Sequence, residues 1–211
     1  SFRHFVLGTV AIFIYVGVEV GIPNFANLFM TSPEINIDPT IAGSVVGTYW
    51  FLMMIGRLCG ASIGAKVSSR AMLTVVSTVG IVLVLGAIFC ADNILVNMPV
   101  FKSDISFGFA QVPINVMLLI LCGLCTSVMW GGIFNLAVEG LGKYTAAASG
   151  LFMVMVCGGG ILPLIQGGVA DFAGFLNSYW VIALGLAYIL FYAAIGSKNV
   201  NTDIPTDDYE A

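Results

Sequence analysis

One acidic residue, Glu19, lies near the centre of a long apolar stretch, residues 5–30. On insertion scales an acid at the centre of a membrane helix costs about 2.5–3.5 kcal/mol, so it is rarely found there without a function. Pro23 follows, and a proline inside a helix removes one backbone hydrogen bond. We therefore predict a membrane helix that breaks just beyond its membrane-embedded acid.

Other polar side chains share the face of this helix that carries Glu19. At about 100° per residue, Tyr15, Glu19 and Asn27 fall within about 120° of one another. Asn24 lies close to the same face. A polar stripe on a broken membrane helix is where transporters place a substrate site. The stripe therefore predicts a binding site for a polar solute.

The composition places the chain among integral membrane proteins. Of its 211 residues, 59% are hydrophobic and 9% are charged, and the mean hydropathy is +1.04. We predict an all-α polytopic protein whose six transmembrane helices form one bundle over residues 1–197, in an order that permits a 3+3 inverted repeat. The predicted helices cover residues 5–30, 40–65, 71–91, 113–138, 145–169 and 176–196.

The basic residues between the predicted helices fall on alternate connections, which the positive-inside rule assigns to the cytoplasm. These residues are Arg3, Lys66, Arg70, Lys143 and Lys198. The opposite connections, of which 92–112 is the longest, hold Lys102 and several acids. Both termini are therefore predicted to be cytoplasmic.

The two ends of the chain carry further information. Residues 198–211 are predicted to form an acidic, solvated tail in the cytoplasm. The start at Ser1 has neither a start methionine nor a cleavable signal, so we expect the chain to begin partway through a longer gene product. There is no basic run, and His4 is the sole histidine, so neither nucleic acid nor a metal ion is an expected partner. We also expect no cofactor and no catalytic residue.

A second charged residue lies within a predicted helix. Arg57 follows Gly56 in a run that continues with Gly60 and Gly64, and glycines four apart give a flat ridge for close helix packing. Arg57 and Glu139 are both predicted near the cytoplasmic side, where we expect them to pair as a gate. The alternative is two independent surface charges, because exposed pairs contribute little.

Four segments carry a recognisable pattern: Tyr15–Glu19, Gly56–Gly60, Met129–Gly142 and Gly158–Asp171. In sequence and in order they resemble the C-terminal half of the major facilitator superfamily, and more narrowly the bacterial glucose/galactose permeases among the fucose–galactose–glucose:proton symporters. The resemblance covers about residues 3–197. The family has proline where this chain has Gly131, so the local bend is expected to differ.

The resemblance implies twelve helices in two bundles, with a hexose bound between them and carried by alternating access. The implied partners are an N-terminal six-helix half, the hexose (glucose, galactose or fucose), a co-transported proton or sodium ion, and the lipid bilayer of the bacterial inner membrane. Family members carry glutamine or glutamate at the position of Glu19. The main proton-carrying acids of the family lie in the first bundle.

Five residues are predicted to bind the substrate: Glu19, Asn24, Asn27, Tyr49 and Trp130. Glu19 is predicted to accept hydrogen bonds from sugar hydroxyls, with proton carriage or a structural contact as alternatives. We expect it to have a donor of its own, either Asn24 or a group in the neighbouring bundle. Asn24 and Asn27 suit sugar hydroxyls or, alternatively, hydrogen bonds between helices.

Aromatic and amide side chains on other helices complete the predicted set. Trp130 is predicted to stack on a pyranose, with simple packing as the alternative. Adjacent Tyr49 and Trp50 point about 100° apart, so only one can face the cavity, and we predict Tyr49. Asn135 and Gln166 are predicted to join helices rather than to bind substrate.

Three other functions stay open at this point. The chain could form a self-dimerising six-helix half-transporter for another small polar solute, since its small-residue ridges also favour association. A permease for a solute other than a sugar is a second alternative. An intramembrane enzyme is disfavoured because Glu19 has no second acid and no histidine cluster beside it.

Overall fold

The structure is a computed structural model that describes residues 2–102 and 104–200. Within these residues six helical spans are long and apolar enough to cross a membrane, which confirms the predicted all-α polytopic fold. The predicted tail, from residue 201 onward, lies outside the described residues. The spans are Arg3–Thr31, Pro39–Gly64, Ser69–Phe89, Ile114–Val138, Gly142–Ala173 and Phe175–Gly196.

Two of the six spans are divided into shorter helices by interruptions, and a β-hairpin joins the third span to the fourth. The elements in chain order are α1 (Arg3–Thr31), α2 (Pro39–Gly64), α3 (Ser69–Phe89), β1 (Leu95–Phe101), β2 (Phe107–Pro113), α4 (Ile114–Thr126), α5 (Met129–Val138), a 3-10 turn (Gly142–Tyr144), α6 (Thr145–Val154), a second 3-10 turn (Met155–Cys157), α7 (Gly158–Ala173), α8 (Phe175–Phe191) and a closing π-turn (Tyr192–Gly196).

Local capping determines where α2 and α3 begin. The Asp38 carboxylate accepts a hydrogen bond from the Thr40 N–H at 2.8 Å. Pro39 occupies the first helical position, where its missing N–H leaves no bond unmade. Ser68 Oγ accepts from the Ala71 N–H at 3.2 Å and caps α3 in the same way.

The interruptions of the helices differ from the prediction. α1 is continuous through Pro23, so the predicted break in the first helix is wrong. The fourth span is interrupted at Ser127 and Val128 instead, and the fifth at the turn Met155–Cys157. Near Pro23 the Tyr49 hydroxyl donates a hydrogen bond to the Glu19 carbonyl, which the proline leaves without its helical donor.

The six spans pack in a reciprocal order. The first span contacts the fifth through α7 and the sixth through α8, while the fourth contacts the second and third through α4. The third and sixth spans also contact each other, as do the first and fourth. When spans one to three are matched with spans four to six, each of these named contacts maps onto another of them or onto itself. This is the arrangement that a 3+3 repeat predicts.

The long connection between the third and fourth spans is an antiparallel hairpin, which the sequence did not predict. Leu95 pairs with Pro113 at its base and Phe101 with Phe107 near its tip. The Phe101 N–H donates to Thr48 Oγ1 of α2 at 2.9 Å. The Phe101 ring also stacks on Phe51 of α2, with centroids 4.7 Å apart. The hairpin is therefore fastened to α2.

Glycines let α1 and α7 approach each other closely. A Cβ atom at Gly158 would overlap the backbone carbonyl oxygen of Phe13, and one at Gly17 would overlap the Leu162 side chain. By contrast, a Cβ atom at Gly160 has no neighbour within 4 Å. The two helices thus pack with one backbone directly against the other.

Gly158→Ala is expected to lower the free energy of unfolding by about 1–3 kcal/mol, because the added methyl group meets backbone that cannot rotate away. The matched control is Gly160→Ala, which meets open space and gains up to about 1 kcal/mol of helix propensity. Thermal melting of the purified protein in detergent compares the two. Equal melting temperatures would contradict the close packing of α1 on α7.

Candidate functional site

Glu19 forms an ion pair with Arg57. The Nη2 atom of Arg57 donates to Glu19 Oε1 at 3.0 Å, joining α2 to α1. The Glu19 side chain is only 13% exposed and the Arg57 side chain 56%. Arg57 also lies 3.3 Å from the sulfur of Met53, one turn earlier in α2. The donor that we expected for Glu19 therefore comes from the same bundle, and it is not Asn24.

The predicted gate pair between Arg57 and Glu139 is not formed in the described part of the structure. Arg57 extends over Met53 toward α1, while Glu139 is exposed at the end of α5. The backbone carbonyl of Glu139 instead lies 2.8 Å from His4 Nε2. The physical reason is that a charge pair is worth more where water is partly excluded, and Glu19 is the more enclosed of the two acids.

A cavity of about 750 Å³ opens beside the ion pair. Glu19, Arg57, Trp130 and Asn135 supply its larger polar or aromatic groups, and small residues of α2 and α5 keep it open. Gly131 belongs to its lining, and a Cβ atom there would have no neighbour within 4 Å. The volume falls within the range of about 300–1,000 Å³ that is typical of small-molecule sites.

Two aromatic rings fix Trp130 at the wall of this cavity. Tyr15 meets it edge-on with ring centroids 6.2 Å apart, and Phe152 does so at 6.1 Å. Edge-to-face pairs of this kind restrict the indole without covering all of it. The interruption of the fourth span at Ser127 and Val128 places Trp130 in the first turn of α5. Trp130 is half-buried and lines the same cavity as Glu19.

Tyr49 does not face the cavity in this structure, contrary to the prediction. Its side chain is 0% exposed, whereas that of the adjacent Trp50 is 44% exposed. The Tyr49 hydroxyl donates to the Glu19 carbonyl oxygen at 3.1 Å and lies 3.0 Å from Thr126 Oγ1. Tyr15 donates to the Thr126 carbonyl oxygen at 3.1 Å. These buried hydroxyls join α1, α2 and α4 behind the acid.

Asn24 and Asn27 lie farther along α1 and do not line the cavity that contains Glu19. At 1.5 Å per residue they are about 7.5 Å and about 12 Å beyond Glu19 along the helix axis. Asn24 is exposed and Asn27 half-buried. Because α1 continues as a helix past the position of the predicted break, these amides are not folded back toward the acid.

The two amides predicted to join helices have different positions. Gln166 is fully buried, and its Nε2 donates to Ser178 Oγ at 3.4 Å between α7 and α8, as predicted. Asn135 lies in the cavity, with its Nδ2 atom 3.5 Å from Ser69 Oγ. The helical spacing of Gly131 and Asn135 could have indicated this, because positions four apart share a helix face.

Comparison with known proteins finds named sugar transporters that are similar to this chain. No family model matches the chain. A glucose/galactose transporter of Brucella abortus biovar 1 (strain 9-941) is 31% identical over 200 residues, which cover 94% of this chain and 44% of that protein. The L-fucose-proton symporter of Escherichia coli (strain K12) is 22% identical over 197 residues, 93% of this chain and 40% of that protein.

The solved structure of FucP, a major facilitator superfamily transporter in the outward conformation, superposes with a TM-score of 0.78. It is 22% identical and matches 93% of this chain and 43% of its own. Over nearly its whole length the chain therefore has the fold that the resemblance to this superfamily implied. The chain spans less than half the length of these relatives.

A double-mutant cycle tests which acid is the partner of Arg57. Arg57→Met and Glu19→Gln each remove the ion pair, so the double variant is expected to lose about 0.5–3 kcal/mol less stability than the sum of the single variants. Thermal melting of the four proteins measures this difference.

The matched control replaces Glu19→Gln with Glu139→Gln. Arg57→Met and Glu139→Gln are expected to be additive within about 0.5 kcal/mol, since no contact joins the two residues in the described structure. Coupling of Arg57 to Glu139 rather than to Glu19 would restore the original gate prediction and contradict the observed pair.

Proposed function

We propose that the chain forms half of a hexose permease, which moves glucose, galactose or fucose through the membrane by alternating access with a co-transported proton. The observation that carries this proposal is the joint position of Glu19 and Trp130 on one cavity. Relatives named as a glucose/galactose transporter and an L-fucose-proton symporter support the hexose and the proton. No covalent chemistry is required, because transport needs only different binding in two conformations.

The lining residues provide the groups that a hexose needs. A carboxylate has about four lone-pair sites, so Glu19 can accept from Arg57 and still accept from a sugar hydroxyl. Charge-assisted hydrogen bonds of this kind are about twice as strong as neutral ones. The half-buried indole of Trp130 offers a flat apolar face for the C–H side of a pyranose and an N–H donor for a hydroxyl. Asn135 adds an amide on the same wall.

The ion pair links sugar binding to the contact between α1 and α2. Glu19 belongs to α1 and Arg57 to α2, so a sugar that shares the carboxylate changes the contact between two helices. Arg57 is more than half exposed and can move without breaking packing. A ligand shifts a conformational equilibrium only by its difference in affinity for the two states. We propose that this shared carboxylate is one source of that difference.

The opposite wall of the site belongs to the proposed N-terminal six-helix half, which also carries the proton-coupling acids. Asn24 and Asn27 remain proposed sugar contacts that require this second half. Both termini of the chain are proposed to face the cytoplasm of a bacterial inner membrane, on the evidence of the basic connections. A proton is preferred over sodium because a proton symporter is among the relatives.

Glu19→Gln in the full-length gene product is expected to raise the half-saturating hexose concentration about tenfold, because a neutral amide accepts more weakly than a carboxylate. Counterflow of labelled hexose in proteoliposomes should persist, and so should part of the proton-driven accumulation. Glu34→Gln is the matched control, since Glu34 is exposed in the connection between α1 and α2.

Both assays are run side by side on the same proteoliposomes. Unchanged affinity with abolished accumulation would show that Glu19 carries the proton instead of holding the sugar. Absence of hexose counterflow in the unmodified protein would contradict the proposed substrate itself.

A further inference from the structure

The Glu19 carbonyl lacks the hydrogen bond that an α-helix ordinarily provides. In α-helical geometry its partner is the N–H of the residue four positions later, which is Pro23. Proline has no N–H, and its ring also crowds that carbonyl. A buried carbonyl without a donor is costly and commonly leads to a kink. The residue that carries the site's carboxylate is therefore also the point where α1 is weakest.

The Tyr49 hydroxyl occupies the place of the missing donor. It donates to the Glu19 carbonyl oxygen at 3.1 Å from a side chain that is fully buried. Thr126 Oγ1 lies 3.0 Å from the same hydroxyl. The backbone of Tyr49 packs so closely on Gly123 that a Cβ atom there would lie 2.6 Å from the Tyr49 carbonyl oxygen. Tyr49 is thus held on α4 from one side while it donates to α1 on the other.

We propose that Tyr49 is a positioning residue for Glu19. Its hydroxyl replaces the hydrogen bond that Pro23 removes, and thereby fixes the backbone from which the Glu19 carboxylate reaches Arg57 and the cavity. The inference rests on the proposed hexose function for its effect on affinity. The hydrogen-bond replacement itself can be measured without any substrate.

A second buried tyrosine supplies a matched control. Tyr179 of α8 donates to the Ile22 carbonyl oxygen at 2.7 Å and is also 0% exposed. The Ile22 carbonyl has the Ala26 N–H as its ordinary helical partner, because α1 continues past that point. Removing the Tyr179 hydroxyl therefore leaves a carbonyl that still has a donor. Removing the Tyr49 hydroxyl leaves the Glu19 carbonyl without a donor.

The test compares four forms of the full-length transporter: unmodified, Tyr49→Phe, Pro23→Ala and the double variant. Tyr49→Phe is expected to raise the half-saturating hexose concentration about 3- to 10-fold, the equivalent of one lost hydrogen bond. Pro23→Ala restores the N–H donor in α1, so the double variant is expected to return to within about twofold of Pro23→Ala alone. A fifth form, Tyr179→Phe, serves as the control and is expected to leave the hexose affinity unchanged.

Thermal melting of the same four proteins provides the substrate-independent measurement. The destabilisation by Tyr49→Phe is expected to be smaller in the Pro23→Ala background than in the unmodified one. If Tyr49→Phe alone yields no folded protein, recovery of folded protein in the double variant would likewise show that the hydroxyl replaces the hydrogen bond removed by Pro23. A failed hexose assay of the unmodified transporter would count against the proposed function. The comparison of melting temperatures would still be valid.

Three results would overturn the inference. The first is that Pro23→Ala rescues neither the stability nor the affinity of Tyr49→Phe, which would mean that the hydroxyl does not replace the missing bond. The second is that Tyr49→Phe and Tyr179→Phe change hexose affinity equally, and the third is that Tyr49→Phe changes stability alone. In either of the last two cases Tyr49 supports the bundle in general and does not position Glu19.

Discussion

A carboxylate within an apolar helix requires a hydrogen-bond donor. The arrangement around the cavity depends on the donor that Glu19 has. Arg57 donates to it at 3.0 Å from the neighbouring helix. Beside that contact, glycines bring α2 close to the fourth span. Cβ atoms at Gly56 and Gly60 would overlap Ser127 and Val128, the residues at which that span is interrupted. The ridge of small residues thus packs α2 against the fourth span next to the cavity.

The same interruption determines the other side of the cavity. Because α5 begins at Met129, Trp130 lies in its first turn, where Tyr15 and Phe152 hold its ring edge-on. Tyr15 in turn donates to the carbonyl of Thr126, the last residue of α4. The acid and the indole are therefore fixed by one connected set of contacts that joins the first, second and fourth spans. A change in any of these contacts alters both groups that are proposed to hold the sugar.

The features that depend on local sequence were predictable, and those that depend on contacts between helices were not. Hydropathy gave the six spans, since each needs only length and apolar composition. The cost of placing an acid in a membrane singled out Glu19. The partner of Arg57 could not be predicted, because a long, flexible side chain can reach acids on more than one neighbouring helix. The effect of Pro23 was mispredicted, because Tyr49, 26 positions later in the sequence, supplies a donor to the carbonyl that the proline leaves without one. The hairpin of Phe101 and Phe107 was missed because its strands are short and only partly alternate.

The central claim is that Glu19 and Trp130 together bind a hexose. An experimental structure of the full-length gene product with bound glucose, galactose or fucose tests it most directly. The account predicts a sugar hydroxyl within hydrogen-bond distance of the Glu19 carboxylate and the pyranose in contact with the Trp130 indole. It also predicts that the Tyr49 hydroxyl still donates to the Glu19 carbonyl. A hexose bound away from both side chains, with the cavity beside Arg57 empty of sugar, would contradict the account.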